Sequence, residues 1–259
     1  MNVRAASPAT PMPPTRDIMG VATAVLDEPG AIALFAGLIS ERRFTKVAFL
    51  NAYVSNVSKA DRAFADTLAR FLVLADGVGV DIASKLLYGQ PFPANLNGTD
   101  LVPALLRTLP GRLKIGLVGA KRENIEAACD RFARLAPQHQ FYLISDGYFF
   151  SAGEQQIFAD LREIRPDILL VAMGVPRQEF WIDGLTKDQA TIVVGVGALF
   201  DFISGAVPRA PQWMRRARLE WLFRLILEPG RLWQRYVVGN PLFLWHLMQQ
   251  WWTWRRQRS

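Results

Sequence analysis

Short apolar runs alternate with amphipathic stretches along most of the chain. Ile168 to Met173 is an unbroken apolar run set between Pro166 and Gly174. It is too short to span a membrane and reads as a strand buried on both faces of a parallel sheet. Lys46–Leu50, Leu113–Val118, Gln140–Ile144 and Thr191–Val196 read the same way. Helical spacing fills the intervals. Lys59–Leu74 carries Ala60, Phe64, Leu68 and Phe71 on one face, and Val80–Leu87 stops near Gly89. A further helix runs to Leu109 with Thr99 or Asp100 as its cap, and others cover residues 122–135, Glu154–Ile164 and Phe180–Leu185. Ahead of them, Ile18–Leu26 reads as a strand or part of a small hairpin, and a helix follows Pro29. The alternation from Lys46 to Asp201 predicts an α/β fold, a doubly wound, mostly parallel sheet with right-handed crossovers.

The two ends depart from this pattern. Residues 1–16 hold Pro8, Pro11, Pro13 and Pro14 and read as a disordered leader without the apolar segment of a signal peptide. Residues 17–208 form the expected core. After Pro208 the composition turns to Trp, Arg and Leu, which predicts a small helical, basic appendage over residues 209–259. Leu219–Leu227 and Gly230–Val238 read as helices, with a break before Pro241. The last segment puts Leu244, Leu247, Met248 and Trp251 on one face and ends in Arg255, Arg256 and Arg258. Such a helix is what an interfacial membrane anchor needs, which makes residues 209–259 a membrane-associating appendage; packing on its own core or a partner is the alternative.

Charge sharpens the contrast. Of a net +7, the stretch from Arg209 onward carries ten arginines against Glu220 and Glu228, which leaves the preceding body close to neutral. A basic tail on a neutral body points to an anionic partner: lipid head groups, a diphosphate or nucleic acid. No apolar run reaches the roughly 18–20 residues of a spanning helix, so the expected location is cytoplasmic, at most peripheral on the membrane. The single cysteine, Cys129, makes no internal disulfide, and with only His139 and His246 beside it no zinc-like spacing is present. No metal site and no cofactor are expected.

Candidate chemistry gathers at strand exits. After Met173 the chain reads Gly174-Val175-Pro176-Arg177-Gln178-Glu179, where a strand end meets a helix start; such crevices bind ligands in open α/β sheets, and the same run also fits an ordinary solvated loop. Asp76-Gly77 places a carboxylate between an apolar segment and a glycine turn, as either a cap or a working base. Asp146-Gly147-Tyr148 and Gly195–Phe202, with Asp201, repeat the arrangement. Gly116 and Gly119 do not make the dinucleotide fingerprint, which argues against a nicotinamide enzyme.

Taken together, the segments DGVGVDIASKLL, NLNGTDL, PDILLVAMGVPRQEFW, VGVGALFDFISGAVPRAPQWM and LEWLFRLILEPGRLWQRY resemble the WecG/TagA/CpsF family of bacterial glycosyltransferases over almost the whole chain after the leader. The resemblance implies an inverting, metal-independent enzyme. It would move a sugar from a nucleotide sugar, usually UDP-linked, to a polyprenyl-diphosphate-linked sugar at the inner face of the membrane. By the same resemblance Asp76 matches the proposed base and Gln178 the active-site glutamine, while Tyr148 and Asp201 match nucleotide contacts. Asn51, Asn97 and Gly174 fall in the substrate site, and Arg224, Arg231 and Arg235 match basic positions suited to a diphosphate. Without the likeness those arginines read as a solvated face.

Two departures bear on the sugar. Phe49 stands where family members often carry Thr, and ANLNG stands where they often carry Arg near Asn95. Both point away from N-acetylmannosamine or its uronic acid and toward the exopolysaccharide branch, in which glucose-type donors occur. A non-catalytic membrane scaffold would keep the basic tail without needing Asp76 and Gln178 in one pocket. Nucleic acid is a poor fit because the arginines alternate with bulky apolar residues. The sequence leaves homo-oligomer formation open.

Overall fold

A computed structural model describes residues 9–149, 151–216 and 219–256. In chain order the elements are β1 (Thr15–Ile18), β2 (Val21–Ala24), α1 (Glu28–Ser40), β3 (Thr45–Leu50), α2 (Ala52–Ala60), α3 (Arg62–Leu68) and β4 (Leu72–Ala75). They continue as α4 (Val78–Tyr88), α5 (Gly98–Thr108), β5 (Lys114–Gly119), α6 (Arg122–Leu135), β6 (Gln140–Ser145), α7 (Ser151–Ile164), β7 (Ile168–Ala172), α8 (Arg177–Asp183) and β8 (Ile192–Gly195). Helices α9 (Leu199–Ser204), α10 (Gln212–Arg216), α11 (Glu220–Leu227) and α12 (Pro229–Trp233), a π-helical stretch (Gln234–Val238) and α13 (Gly239–Arg256) complete the chain.

The eight strands form one sheet in the order β1-β2-β4-β3-β8-β7-β5-β6, antiparallel only between β1 and β2. This is the expected α/β architecture. Strand alternation sorts the core into two layers. Val47, Leu72, Leu74, Ile168, Leu170 and Ile192 face α1, α5, α6 and α9, whereas Ala48, Val73, Leu169, Val171 and Val193 join the opposite cluster with Phe64, Ile182 and Phe243. Both faces are dry, which explains the unbroken apolar runs in the sequence.

Register sets the site. Leu50 pairs with Ala75, Gly119 with Ala172, and Val171 with Gly195, so the carboxyl ends of the central strands open on the same edge. Gly119 has φ +115, and a Cβ there would lie 2.3 Å from the Ala172 carbonyl oxygen; only glycine lets β5 and β7 close up at this end.

Five local expectations are corrected. The stretch Lys59–Leu74 is not one helix: Asp61 ends α2 and caps α3 by accepting from the backbone N–H of Ala63 and Phe64, and Leu72–Ala75 is a buried strand. The cap of α5 is Asn97, whose Oδ1 accepts from Asp100 N, rather than Thr99 or Asp100. Arg177 opens α8, ahead of the expected Phe180, with Pro176 as N-cap after a cis Val175–Pro176 bond. Thr15 and Arg16, assigned to the leader, lie in β1. There the buried Arg16 donates to Ser84 Oγ (2.6 Å) and to the carbonyls of Gln90 and Pro91. Residues 1–8 lie outside the described part.

The fifth concerns the C-terminal helices. No break precedes Pro241. A π-helical stretch sits directly ahead of it, and the wider turn accommodates a residue that has no N–H to give. Helix α13 buries Phe243 and Leu247, not Leu244 and Met248, which are exposed. It packs on α2 and α4 and is tied down by polar contacts. Asn56 donates to the Gly239 carbonyl (2.7 Å), Gln250 accepts from Met19 N (2.8 Å), and Gln250 Nε2 donates to Asp17 Oδ1 (2.7 Å). Among the described residues, no helix is long and apolar enough to cross a membrane.

Candidate active site

A cleft of about 650 Å³ lies at the carboxyl edge of the sheet. Its floor comes from the exits of β3, β4, β5, β7 and β8, and its far wall from α11, α12, the π-helical stretch and α13. All ten residues singled out from the sequence line it: Asn51, Asp76, Asn97, Tyr148, Gly174, Gln178, Asp201, Arg224, Arg231 and Arg235. Asp76 and Gln178, 102 positions apart in the chain, share this one cleft.

Asp76 follows β4 directly, and the pairing of Leu50 with Ala75 sets Asn51 beside it. Asn51 does two things at once: its Oδ1 accepts from Val54 N (3.1 Å) as the cap of α2, and its Nδ2 donates to Asp76 Oδ2 (3.0 Å). The turn after Asp76 depends on Gly77, whose φ of +91 and ψ of 168 suit glycine alone, and on Asn95, whose Oδ1 accepts from Gly77 N (2.7 Å). Burial pushes the Asp76 carboxyl above the usual carboxylate range; the Asn51 hydrogen bond and the positive charges of Arg235 and Arg224 pull it part of the way back. A carboxylate so placed is a stronger base than one in water.

Across the floor, Gln178 is 3 % exposed and Glu179 2 %. Gln178 Oε1 accepts from Gly197 N (3.1 Å) and its Nε2 donates to Glu179 Oε1 (2.7 Å). Burial raises the Glu179 carboxyl to about 7, with the Gln178 amide and its own backbone N–H opposing. Glu179 Oε2 has no hydrogen-bond partner.

The other side chains are held more loosely or locally. Asn97 spends its amide on Asp100, accepting from its N–H and donating to its Oδ2 (2.9 Å). Asp201, in the first turn of α9, accepts from Asn124 Nδ2 (2.7 Å). Tyr148 stands at the rim, 67 % exposed, on a turn whose Asp146 accepts from Tyr148 N. Gly174 has φ +78 and its carbonyl accepts from Gln178 N, starting α8.

The wall opposite is cationic and aromatic. Arg235 lies over the Tyr53 ring at 4.6 Å and Arg224 over the Phe202 ring at 5.2 Å, contacts that fix long side chains in place. Arg231 instead donates to Glu228 (2.6 Å). At the mouth, Arg209 and Arg215 approach Asp100 at 2.9 and 3.8 Å and join the first appendage helices to the start of α5. Among the described residues, no three His, Cys, Asp or Glu side chains are grouped to hold a metal ion.

The sequence placed Asn95 and Glu179 in candidate segments but assigned neither a role; Tyr53, on α2, gave no signal.

Comparison with known proteins agrees with the geometry. Residues 16–257 match the model of the glycosyl transferase WecG/TagA/CpsF family. Three curated relatives are each named N-acetylglucosaminyldiphosphoundecaprenol N-acetyl-beta-D-mannosaminyltransferase. The protein of Bacillus spizizenii is 36% identical over 168 residues, 64% of this chain and 63% of its own length. That of Bacillus subtilis is 32% identical over 74% of both chains, and that of Staphylococcus aureus strain NCTC 8325 is 27% identical over 76% of this chain and 77% of its own. The chain belongs to the WecG/TagA/CpsF family of glycosyl transferases.

Proposed function

With that membership as premise, we propose that the protein transfers a sugar, with inversion and without a metal ion, from a UDP-sugar to the sugar of a polyprenyl-diphosphate-linked acceptor, in the assembly of a bacterial exopolysaccharide or other surface polymer. One observation carries the reading: the Asn51–Asp76 pair sits at the floor of a cleft whose facing wall presents Arg224 and Arg235.

In this reading Asp76 accepts the proton of an acceptor hydroxyl as that oxygen bonds to the anomeric carbon. The bond from that carbon to the donor diphosphate breaks, and its electron pair leaves with UDP. The sugar passes through a positively charged, oxocarbenium-like state. Gln178 donates from Nε2 without adding charge, and the guanidinium forks of Arg224 and Arg235, with Arg231 at the rim, neutralise the departing diphosphate. Tyr148, Asp201 and Gly174 border the nucleotide, and Asn51 and Asn97 the sugars.

Exposed Trp213, Ile226, Trp233, Val237, Trp245 and Trp252 support seating of the appendage on a cytoplasmic membrane surface, the basic residues meeting anionic head groups. For the donor, Phe49, which lines the cleft two residues before Asn51 where members of the family often carry Thr, supports a glucose-type sugar. The relatives' printed name supports a second donor, an N-acetylmannosamine nucleotide.

A panel of UDP-sugars, UDP-glucose and UDP-N-acetylmannosamine included, incubated with a short-chain polyprenyl-diphospho-N-acetylglucosamine tests the proposal. At least one donor should give lipid-linked disaccharide and UDP, and Asp76→Asn should fold normally yet lose about 10²-fold or more. No transfer from any donor, or near-wild-type turnover by Asp76→Asn, would overturn it.

A further inference from the structure

A carboxamide is nearly symmetric in shape, and what it offers a ligand depends on which way round it is held. At Gln178 two contacts set this. Gly197 N–H approaches one end at 3.1 Å, and a donor can be met only by the amide oxygen. Glu179 Oε1 approaches the other end at 2.7 Å and is met by the amide nitrogen. Turning the amide over would bring two donors together at Gly197 and, with Glu179 ionised, two oxygens together at Glu179. The group lies hard against β8: a Cβ on Gly195 would be 3.0 Å from Gln178 Nε2, so that position leaves no slack for a looser arrangement. With one lone pair of its oxygen taken by Gly197 and one nitrogen hydrogen taken by Glu179, Gln178 has a single N–H left for the cleft it lines.

We infer that Glu179 is a positioning residue: through Oε1 it fixes the orientation of the Gln178 carboxamide, so that Gln178 presents an N–H and not a carbonyl oxygen to whatever occupies the cleft. A ligand atom beside the Gln178 nitrogen must then be an acceptor, such as a phosphate or ring oxygen. That use in catalysis rests on the transferase reading, whereas the orientation itself does not. Glu179 is buried, its second oxygen lacks a partner, and it sits in the first turn of α8. The charged groups nearby are committed elsewhere. Arg177 stacks on Phe149 at 5.6 Å, Asp183 pairs with Lys46 (2.8 Å) and with Arg70, and on α3 Arg62 pairs with Asp66 (3.0 Å). The titration of Glu179, displaced to about 7 by burial, is therefore felt first by the amide bonded to it.

The test joins a spectroscopic readout to kinetics on the full chain. In ¹⁵N-labelled protein the Gln178 side-chain amide, assigned by its loss in Gln178→Leu, should show two well-separated protons whose shifts move with a midpoint near pH 7. Glu179→Gln keeps an acceptor oxygen, so it should retain the separation and lose the titration. Glu179→Leu should collapse the pair toward the pattern of a free amide. In transfer assays with the UDP-sugar panel, Glu179→Leu should lower kcat about tenfold or more while the donor KM stays within about twofold, and Glu179→Gln should restore most of kcat. If Gln178 ignores both pH and the identity of residue 179, the inference fails, whether or not sugar is transferred. If wild type transfers no sugar yet the titration is present and vanishes in Glu179→Gln, the positioning stands and the transferase reading falls. A Glu179→Leu protein too unstable to study leaves Glu179→Gln to decide, and a titration that persists there overturns the inference.

Discussion

Replacing Asn51 by alanine removes two contacts that the structure assigns to different ends of one side chain. Loss of the Oδ1 contact to Val54 N uncaps α2, and loss of an N-cap costs about 1 kcal/mol of stability. Loss of the Nδ2 contact frees Asp76 Oδ2. A hydrogen bond to an ionised group contributes roughly 1.5–3 kcal/mol, and a pKa unit corresponds to about 1.4 kcal/mol. The Asp76 pKa, already raised by burial, should therefore climb further. Asn51→Asp separates the effects: aspartate caps as well as asparagine, but a second carboxylate beside Asp76 has nothing to donate and repels it. Urea denaturation and the pH dependence of kcat/KM on purified protein read the two. Asn51→Ala should lose about 1 kcal/mol and move the acid limb to higher pH. Asn51→Asp should keep helix stability and move the limb at least as far. An acid limb unmoved in both variants would refute Asp76 as the base and Asn51 as its partner.

Three further outcomes follow from buried and exposed groups. Burial raises the Glu179 carboxyl from 4.5 to about 7, so its charge costs the fold stability. That cost is absent below about pH 4.5 and complete above about pH 7. Glu179→Gln should match wild type at low pH and exceed it above neutrality by on the order of 3 kcal/mol in denaturant titrations; parallel curves would refute this. Phe243 is 1% exposed and would lie 3.5 Å from a Cβ on Gly79, so Phe243→Ala should cost about 3–5 kcal/mol and distort the cleft that Phe243 lines. Trp245, 63% exposed on the same helix, should behave oppositely: Trp245→Glu changes stability by no more than about 0.5 kcal/mol yet weakens co-sedimentation with anionic vesicles, and undiminished binding would argue against a membrane face there.

What the sequence revealed follows from the physics of each signal. Strands β3, β5, β7 and β8 were legible because a strand covered on both faces needs an apolar run, and the glycines and prolines around it punctuate the run. β4 was lost because Leu72–Ala75 continues the helical spacing of Phe64, Leu68 and Phe71. Short apolar segments carry no period that separates strand from helix, and the deciding event was Asp61 turning its side chain back on the backbone. At the C-terminus, Pro241 is a sound reason to end a helix, and only a π-helical turn ahead of it lets the helix run on. The buried stripe of α13 slipped by one position, to Phe243, because from Pro241 to Met248 every residue but His246 is apolar or aromatic and no face stands out. The ten candidate residues came from motifs, not from pattern; that they share one cleft is a matter of register, which no motif encodes.

The same arginines that would meet the departing diphosphate also hold down the pKa of Asp76, and this has a kinetic consequence. In the free protein, burial raises the carboxyl while Asn51, Arg235 and Arg224 lower it. A bound diphosphate shares those cations and displaces water from the cleft, and both changes favour the neutral acid. In a cleft of low effective dielectric constant, even partial loss of one cation's attraction raises the carboxyl's pKa. Substrate binding thus makes Asp76 a stronger base at the moment it is needed. The acid limb of kcat, which reports the bound state, should lie above that of kcat/KM, which reports the free protein. Removing the cations should mimic binding: in Arg224→Ala/Arg235→Ala the kcat/KM limb should rise to meet the kcat limb. Coincident limbs in wild type, or a double variant whose kcat/KM limb does not move, would mean that the cationic wall and the buried acid act independently.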